Sequence, residues 1–283
     1  MPIADATAEA APGNIETFCL FGNPVAQSLS PLMHSAAFTK LGLKAVYTAC
    51  RVMDAAVAVR MMRDRGIRGA SITTPFKETV MTFLDEVEKS AGEIGAVNTI
   101  VNRGGRLSGY NTDGTGLVSD LAEWLAIRGK TFIILGAGGA ARAAVFALLQ
   151  EGGIPIIVNR TPGRAEVLAD RFGCRWALLP EIGHLQADCL INTTPVGMFP
   201  DTDRRPMEDK FLAHFPHVMD MIYNPIKTRL LREAEAAGCA VRSGVGMFVH
   251  QGAEQIHLWT GMEPPRETMR LAVLERLGEN GGD

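Results

Sequence analysis

The chain has 283 residues, is 47% hydrophobic and 21% charged, and carries a formal net charge of −3. That length suits two domains of ordinary size with full cores, and that charge balance excludes a large basic surface for nucleic acid. The five cysteines, Cys19, Cys50, Cys174, Cys189 and Cys239, form no C-x-x-C pair. They read as buried reduced thiols rather than a disulfide framework or zinc site. The six histidines show no ligand cluster, so no metal is expected. No apolar run is long enough to span a membrane.

The Ala-rich, acidic stretch from Met1 to Glu16 has neither a basic n-region nor an apolar h-region. It reads as a mobile tail in a cytoplasmic protein. Short apolar runs then alternate with helix-like stretches. Phe18 to Phe21 is a first strand, closed by Gly22-Asn23-Pro24. Pro31 to Leu41 is a helix, with Ser30 and Pro31 suited to its cap and first position. Ala45 to Cys50 is a strand, Asp54 to Arg65 a helix followed by Gly66, and Gly69 to Thr73 a strand. A second series opens with the strand Thr131 to Leu135, a glycine-rich turn and an Ala-rich helix. It continues with the strand Ile154 to Asn159, the helix Pro162 to Phe172, the strands Asp188 to Asn192 and Val218 to Tyr223, and the helix Val249 to Thr260. Such alternation predicts mostly parallel sheets with crossover helices. The boundaries fall at 17–115 for a first domain, with 249–283 packing back on it, and 116–248 for a cofactor domain.

Gly136-Ala137-Gly138-Gly139-Ala140-Ala141 fits G-x-G-x-x-A between an apolar strand and a helix. The first glycine permits the tight turn, the second lets a pyrophosphate approach the backbone, and the small last residue lets helix and strand pack closely. The helix then points its N–H groups at the phosphates. An NAD enzyme usually places an acid at the end of the next strand. This chain has Asn159-Arg160-Thr161 there, with Arg164 nearby. A guanidinium pairs well with a 2'-phosphate, so NADP is favoured over NAD.

Polar clusters in the first domain fall at predicted strand ends, where open α/β sheets bind ligands. Ser28-Leu29-Ser30-Pro31 sets two hydroxyls at a helix N-terminus, and Ser30 serves equally as a cap or as part of an anion anchor. Lys77 follows the strand-ending Thr73-Thr74-Pro75-Phe76, although alone it reads more readily as a surface charge. Asn98 stands in the polar break Gly95-Ala96-Val97-Asn98-Thr99. Asp113, in Asn111-Thr112-Asp113-Gly114, is either an N-cap or the partner that keeps Lys77 charged.

The order and wording of these motifs resemble the shikimate dehydrogenase family. The resemblance runs from Phe21-Gly22-Asn23-Pro24 through Pro75-Phe76-Lys77-Glu78, Asn192 to Met198 and Tyr223-Asn224-Pro225 to Gly244-Val245-Gly246-Met247 and Gln251. It implies two open α/β/α domains, an N-terminal substrate domain with a mostly parallel sheet and a Rossmann-type NADP domain, with the active site in the cleft. It implies Lys77 and Asp113 as the catalytic pair, and Ser28 and Ser30 as holders of a substrate carboxylate. Thr73, Asn98, Asp113, Tyr223 and Gln251 would bind ring hydroxyls. Gly136, Ala137, Gly138, Gly139, Ala140, Asn159, Arg160, Thr161 and Arg164 would hold NADP, with Thr193, Met221, Gly244 and Met247 nearer the nicotinamide. The implied reaction is reversible reduction of 3-dehydroshikimate to shikimate by NADPH, on the route to chorismate and aromatic amino acids. The partner is this small substrate, without nucleic acid or membrane, in a monomer or homodimer. The chain has Ser71 where the family usually has Asn, Gln27 where it often has His, and Ser243 where it often has Asp. Ser71 leaves open a quinate/shikimate dehydrogenase with broader substrate or cofactor use. A non-catalytic NADP sensor on the same fold is the other alternative, which retention of Lys77 and Asp113 speaks against.

Overall fold

The computed structural model describes residues 15–278. Most of the expected tail lies outside them, and its last residue, Glu16, already belongs to a strand. Strand β1 (Glu16–Gly22), helix α1 (Ser30–Lys40), β2 (Ala45–Arg51), α2 (Ala55–Asp64) and β3 (Gly69–Ile72) alternate as predicted, and β1 pairs in parallel with both β2 and β3. Helix α2 buries Ala55, Ala58, Val59 and Met62, one stripe of a 3.6-residue period. Asp54 caps it, accepting from Ala56 N at 2.6 Å and Val57 N at 3.2 Å.

The alternation then breaks. β4 (Glu86–Val87) and α3 (Lys89–Ile94) precede a hairpin of β5 (Thr99–Arg103) and β6 (Arg106–Tyr110). The sheet order is β2-β1-β3-β5-β6-β4, with β5 antiparallel to β3 and β6. This sheet is therefore mixed, with β1–β2, β1–β3 and β4–β6 as its parallel pairs. Gly104 and Gly105, at φ 62° and 93°, make the hairpin turn in a backbone region that side chains disfavour.

Helix α4 (Asp113–Ala122) leads into β7 (Thr131–Leu135), α5 (Gly139–Gln150), β8 (Ile154–Asn159) and α6 (Pro162–Phe172), which match the sequence reading. β9 (Arg175–Leu178), β10 (Cys189–Asn192), β11 (His217–Asp220), α7 (Arg229–Ala236) and β12 (Ala240–Arg242) complete the second sheet. Its order, β12-β11-β10-β7-β8-β9, is parallel throughout. The order reverses between β7 and β10, the place where doubly wound sheets open a crevice for a dinucleotide. The predicted strand Val218 to Tyr223 stops at Asp220, so Met221 to Tyr223 are loop over that crevice.

Helix α8 (Val245–Thr260) starts four residues before the predicted Val249, and α9 (Arg266–Leu277) follows it. Phe248, Val249, Ala253, Ile256 and Trp259 of α8, with Met269 and Val273 of α9, join the core on the α1 side of the first sheet. Helix α4 lies between α5 and α8. A Cβ on Gly114 would stand 3.1 Å from Ala143 O, and one on Gly116 2.8 Å from Gln251 N. These two glycines let the three helices approach closely where the two sheets join.

Candidate active site

Lys77 leaves β3 through the turn Thr73 to Phe76, where Phe76 N donates to Thr73 O at 3.0 Å. Its Nζ pairs with Asp113 Oδ2, the two side chains being only 17% and 7% exposed, so water screens the pair little. Asp113 is the first residue of α4 and not its cap; Thr112 precedes the helix. Asn111 Oδ1 accepts from Asp113 N at 3.0 Å and Asn98 Nδ2 donates to Asp113 Oδ1 at 2.8 Å. Both carboxylate oxygens therefore have donors, and the helix N-terminus favours their charge.

A buried chain of donors runs back from this pair. Thr99 Oγ1 donates to Asn98 Oδ1 at 2.7 Å, Gln255 Nε2 to Thr99 Oγ1 at 2.9 Å, Ser71 Oγ to Gln255 Oε1 at 2.7 Å, and Tyr47 OH to Ser71 Oγ at 2.6 Å. Each polar group along it is satisfied, as burial requires. Ser71, the residue that departs from the family pattern, is thus a link between Tyr47 and Gln255. Burial pushes the Tyr47 hydroxyl up, against the hydrogen bond to Ser71, so it remains a donor. Sequence reading missed Tyr47, Thr99 and Gln255. Their periodicity marks them as core, and only pairing across β2, β3, β5 and α8 makes them one network.

Ser30 does not cap α1. The helix starts at Ser30 itself, whose N–H donates to Ser28 Oγ at 3.2 Å, and Pro31 has no N–H to satisfy. Ser28 Oγ donates to Ser30 Oγ at 3.1 Å, and Leu29 N to Tyr223 OH at 3.4 Å. Tyr223 reaches this point from the loop after β11, stacked on Phe248 with ring centroids 4.1 Å apart. Three hydroxyls therefore meet at a helix N-terminus, an arrangement suited to a carboxylate. Thr73 is half-buried at the start of the turn after β3, and Gln251 is buried with its amide donating to Phe248 O at 2.8 Å.

On the second sheet, Gly136 has φ 117°, and a Cβ there would stand 2.7 Å from Thr193 Oγ1 across the switch point. Gly138 has open space where a Cβ would be, and α5 starts beside it without a side-chain cap. Ala137 and Ala140 flank this cradle, which only a small backbone leaves open. Arg160, Thr161 and Arg164 are exposed at the end of β8, and neither arginine has an ion-pair partner among the described residues. Asn159 Nδ2 donates to Thr161 O at 2.9 Å, holding the turn into α6. These residues fit a dinucleotide with a phosphorylated ribose. Gly244 caps α8 and stands so close to Met221 that a Cβ would overlap its carbonyl, whereas Met247 is a core side chain, 6% exposed.

The two halves meet at Gly139, where an added Cβ would lie 3.4 Å from Lys77 Cβ and Cδ. Arg142, one turn along α5, reaches Glu78 at 3.3 Å, a cross-cleft contact that the sequence does not reveal. Behind them Asp120, Glu123 and His250 crowd together, and the Arg242 guanidinium supplies the cation, donating to Asp120 Oδ1 at 2.8 and 2.5 Å.

A doubly wound dinucleotide sheet, facing a second α/β sheet whose Lys–Asp pair abuts the glycine-rich turn, defines the class of two-domain nicotinamide-dependent dehydrogenases. Residues 20–100 match the shikimate dehydrogenase substrate binding domain, and residues 244–274 the shikimate 5'-dehydrogenase C-terminal domain. A shikimate dehydrogenase (NADP(+)) of Pyrococcus abyssi is 44% identical over 94% of this chain and 100% of its own length. A shikimate dehydrogenase crystallised with NADP+ superposes with a TM-score of 0.88 at 38% identity, over 94% of this chain and 96% of that one. The Thermus thermophilus enzyme, in complex with NADP(H) and shikimate, has a TM-score of 0.84 at 39% identity, over 92% and 99%. The chain belongs to the shikimate dehydrogenase family.

Proposed function

We propose that this protein is an NADP-dependent shikimate dehydrogenase that reversibly reduces 3-dehydroshikimate to shikimate, on the route to chorismate. The observation that carries the reading is the Lys77–Asp113 pair set against Gly139 of the dinucleotide turn. NADPH, when bound, supplies the hydride. Ser28, Ser30 and Tyr223 hold the substrate carboxylate, and Thr73, Asn98, Asp113 and Gln251 hold the ring hydroxyls. Lys77 faces the ketone oxygen, stabilises the negative charge that develops there, and delivers a proton to it. Asp113 keeps Lys77 oriented and charged, and Asn98 fixes Asp113. In the reverse direction the pair accepts the proton. Gly136 to Ala140 and Thr193 hold the pyrophosphate side, Met221, Gly244 and Met247 border the nicotinamide, and Arg160 and Arg164 pair the 2'-phosphate.

The domain assignment follows the same reading. Residues 17–115 with 249–283 form the substrate unit, supported by the packing of α8 and α9 on α1, and 116–248 form the cofactor unit. The described helices include none long and apolar enough to cross a membrane. Five unpaired cysteines suit a reducing cytoplasm.

The test is absorbance at the NADPH band with purified protein, shikimate or quinate, and NADP or NAD. Turnover with shikimate and NADP alone supports the reading. Preference for quinate or NAD moves the protein to the broader quinate/shikimate type. Binding without turnover of either substrate overturns the enzymatic reading in favour of a sensor.

A further inference from the structure

Asn192 and Asp220 end the adjacent parallel strands β10 and β11 as register partners, and both are fully buried. Their side chains lie beneath the cleft, at the carboxyl edge of the second sheet. Asp220 Oδ1 accepts from Asn192 Nδ2 at 3.0 Å and from Ile222 N at 3.1 Å, and Oδ2 accepts from Thr228 Oγ1 at 2.7 Å. Asn192 passes the constraint on: its Oδ1 accepts from Thr194 N at 3.0 Å and Thr194 Oγ1 at 2.7 Å, and its backbone O accepts from Met221 N at 3.0 Å. One carboxylate thus ties together the loop that carries Thr193 and the loop that carries Met221 and Tyr223.

We propose that Asp220 is a positioning residue for the dinucleotide: ionised, it clamps these two loops in the binding arrangement, and uptake of a proton loosens them and weakens binding. This rests on the reading that the chain binds NADP. The physical reason is donor bookkeeping. An ionised carboxylate accepts all three hydrogen bonds, each strengthened by its charge. A protonated one must donate at one oxygen, so the Thr228 hydroxyl has to turn from donor to acceptor while Leu231 N also points at it, 3.4 Å away.

Among the described residues no cation balances the group. His217 on β11 contacts Asp188 O, and Arg242 on β12 is held by Asp120 and Glu123. On α7, Arg229 pairs with Glu233, and Arg232 donates to Lys227 O. Lys227, in the loop before that helix, pairs with Glu235. Burial pushes the Asp220 carboxyl up to about 7, opposed only by hydrogen bonds from Thr228, Ile222 and Asn192, so the clamp switches in the working range of an ordinary cell interior.

The test is the Kd of NADPH, without substrate, measured by calorimetry from pH 5.5 to 8.5 for wild type and Asp220→Asn. The amide keeps the shape and cannot titrate, and like the protonated acid it sets a donor where the carboxylate accepted, so it holds the loosened arrangement at every pH. Titration of the 2'-phosphate affects both proteins and drops out of their ratio. The expected result is a variant-to-wild-type Kd ratio that rises roughly 3–10-fold from acid to alkaline pH, the net worth of one ordinary hydrogen bond. A flat ratio overturns the proposal. Failure of wild type to bind NADPH at any pH overturns the functional reading first and this one with it. Thr228→Val is the second variant and decides the matter should Asp220→Asn not fold. Removing the hydroxyl that lowers Asp220 shifts the wild-type break in Kd to higher pH, and an unmoved break overturns the proposal.

Discussion

Ser71→Ala tests whether the buried donor chain supports the Lys77–Asp113 pair. The Ser71 hydroxyl accepts from Tyr47 and donates to Gln255, whose residues are 5% and 1% exposed, so water replaces neither bond. Leaving a buried polar group without a partner costs about 1–3 kcal/mol, so two such groups cost about 2–6 kcal/mol. The lower half of that range applies because Ser30 stands beside the Tyr47 hydroxyl and can accept its hydrogen bond. Urea denaturation should show a loss of about 2–4 kcal/mol by the same reasoning. Gln255 also holds Thr99, and Thr99 holds Asn98, so kcat/KM should fall by roughly tenfold, the equivalent of one weakened hydrogen bond at the pair. Tyr47→Phe removes the hydroxyl that Ser71→Ala strands. The double variant should therefore lose less than the sum of the singles, by about 1–2 kcal/mol, as contacting groups do. A single-variant loss below about 1 kcal/mol, or strict additivity, would refute the claim that Ser71 is a required link.

Lys77→Ala should cut turnover by roughly 10²–10⁴-fold with little change in NADPH affinity, and near-normal turnover would overturn the catalytic assignment. Arg160→Ala should weaken NADPH by roughly 10–100-fold, the worth of a hydrogen-bonded charge pair, and leave NADH unchanged; an equal loss for both speaks against a 2'-phosphate contact. His34 is fully buried, stacks on Tyr47 at 4.3 Å, and is pushed down to about 4 by burial. The native state therefore binds fewer protons than the unfolded one between pH 6.5 and about 4, and its stability falls as pH drops through that window. Relative to His34→Phe, wild type should lose up to about 3 kcal/mol across it in urea titrations at fixed pH, and identical slopes would exclude His34 as the cause.

Much of the second sheet was legible because each local signal agreed with the fold. Buried strands such as Thr131–Leu135 and Ile154–Asn159 are continuous apolar runs, since helices cover both faces, and Gly136 to Gly139 stand between strand and helix. The first sheet was less legible past β3. β4 has two residues and β5 reverses direction, so the strand–helix alternation no longer applies. The end of β11 was misread because Met221 to Tyr223 continue an apolar run that the structure uses as cleft loop rather than strand.

The sequence by itself determined the class of reaction, because the chemistry sits in short contiguous motifs: the glycine-rich turn, the Arg160 strand end, the Lys77 turn and Asp113. Their order along the chain, through its resemblance to a family, assigned roles that Ser30, Lys77 and Asp113 left open one by one. Only the tertiary structure decided what each residue does for the others. It took Ser30 out of the cap position and made Asp113 a partner of Lys77. It also turned Ser71 into a link from Tyr47 to Gln255. Asp220 and Arg142 carry no sequence signal at all, since a buried carboxylate and a cross-cleft arginine are defined by neighbours far along the chain. Hydrogen bonds and ion pairs act over a few ångströms of space, and the distance along the chain does not specify that separation.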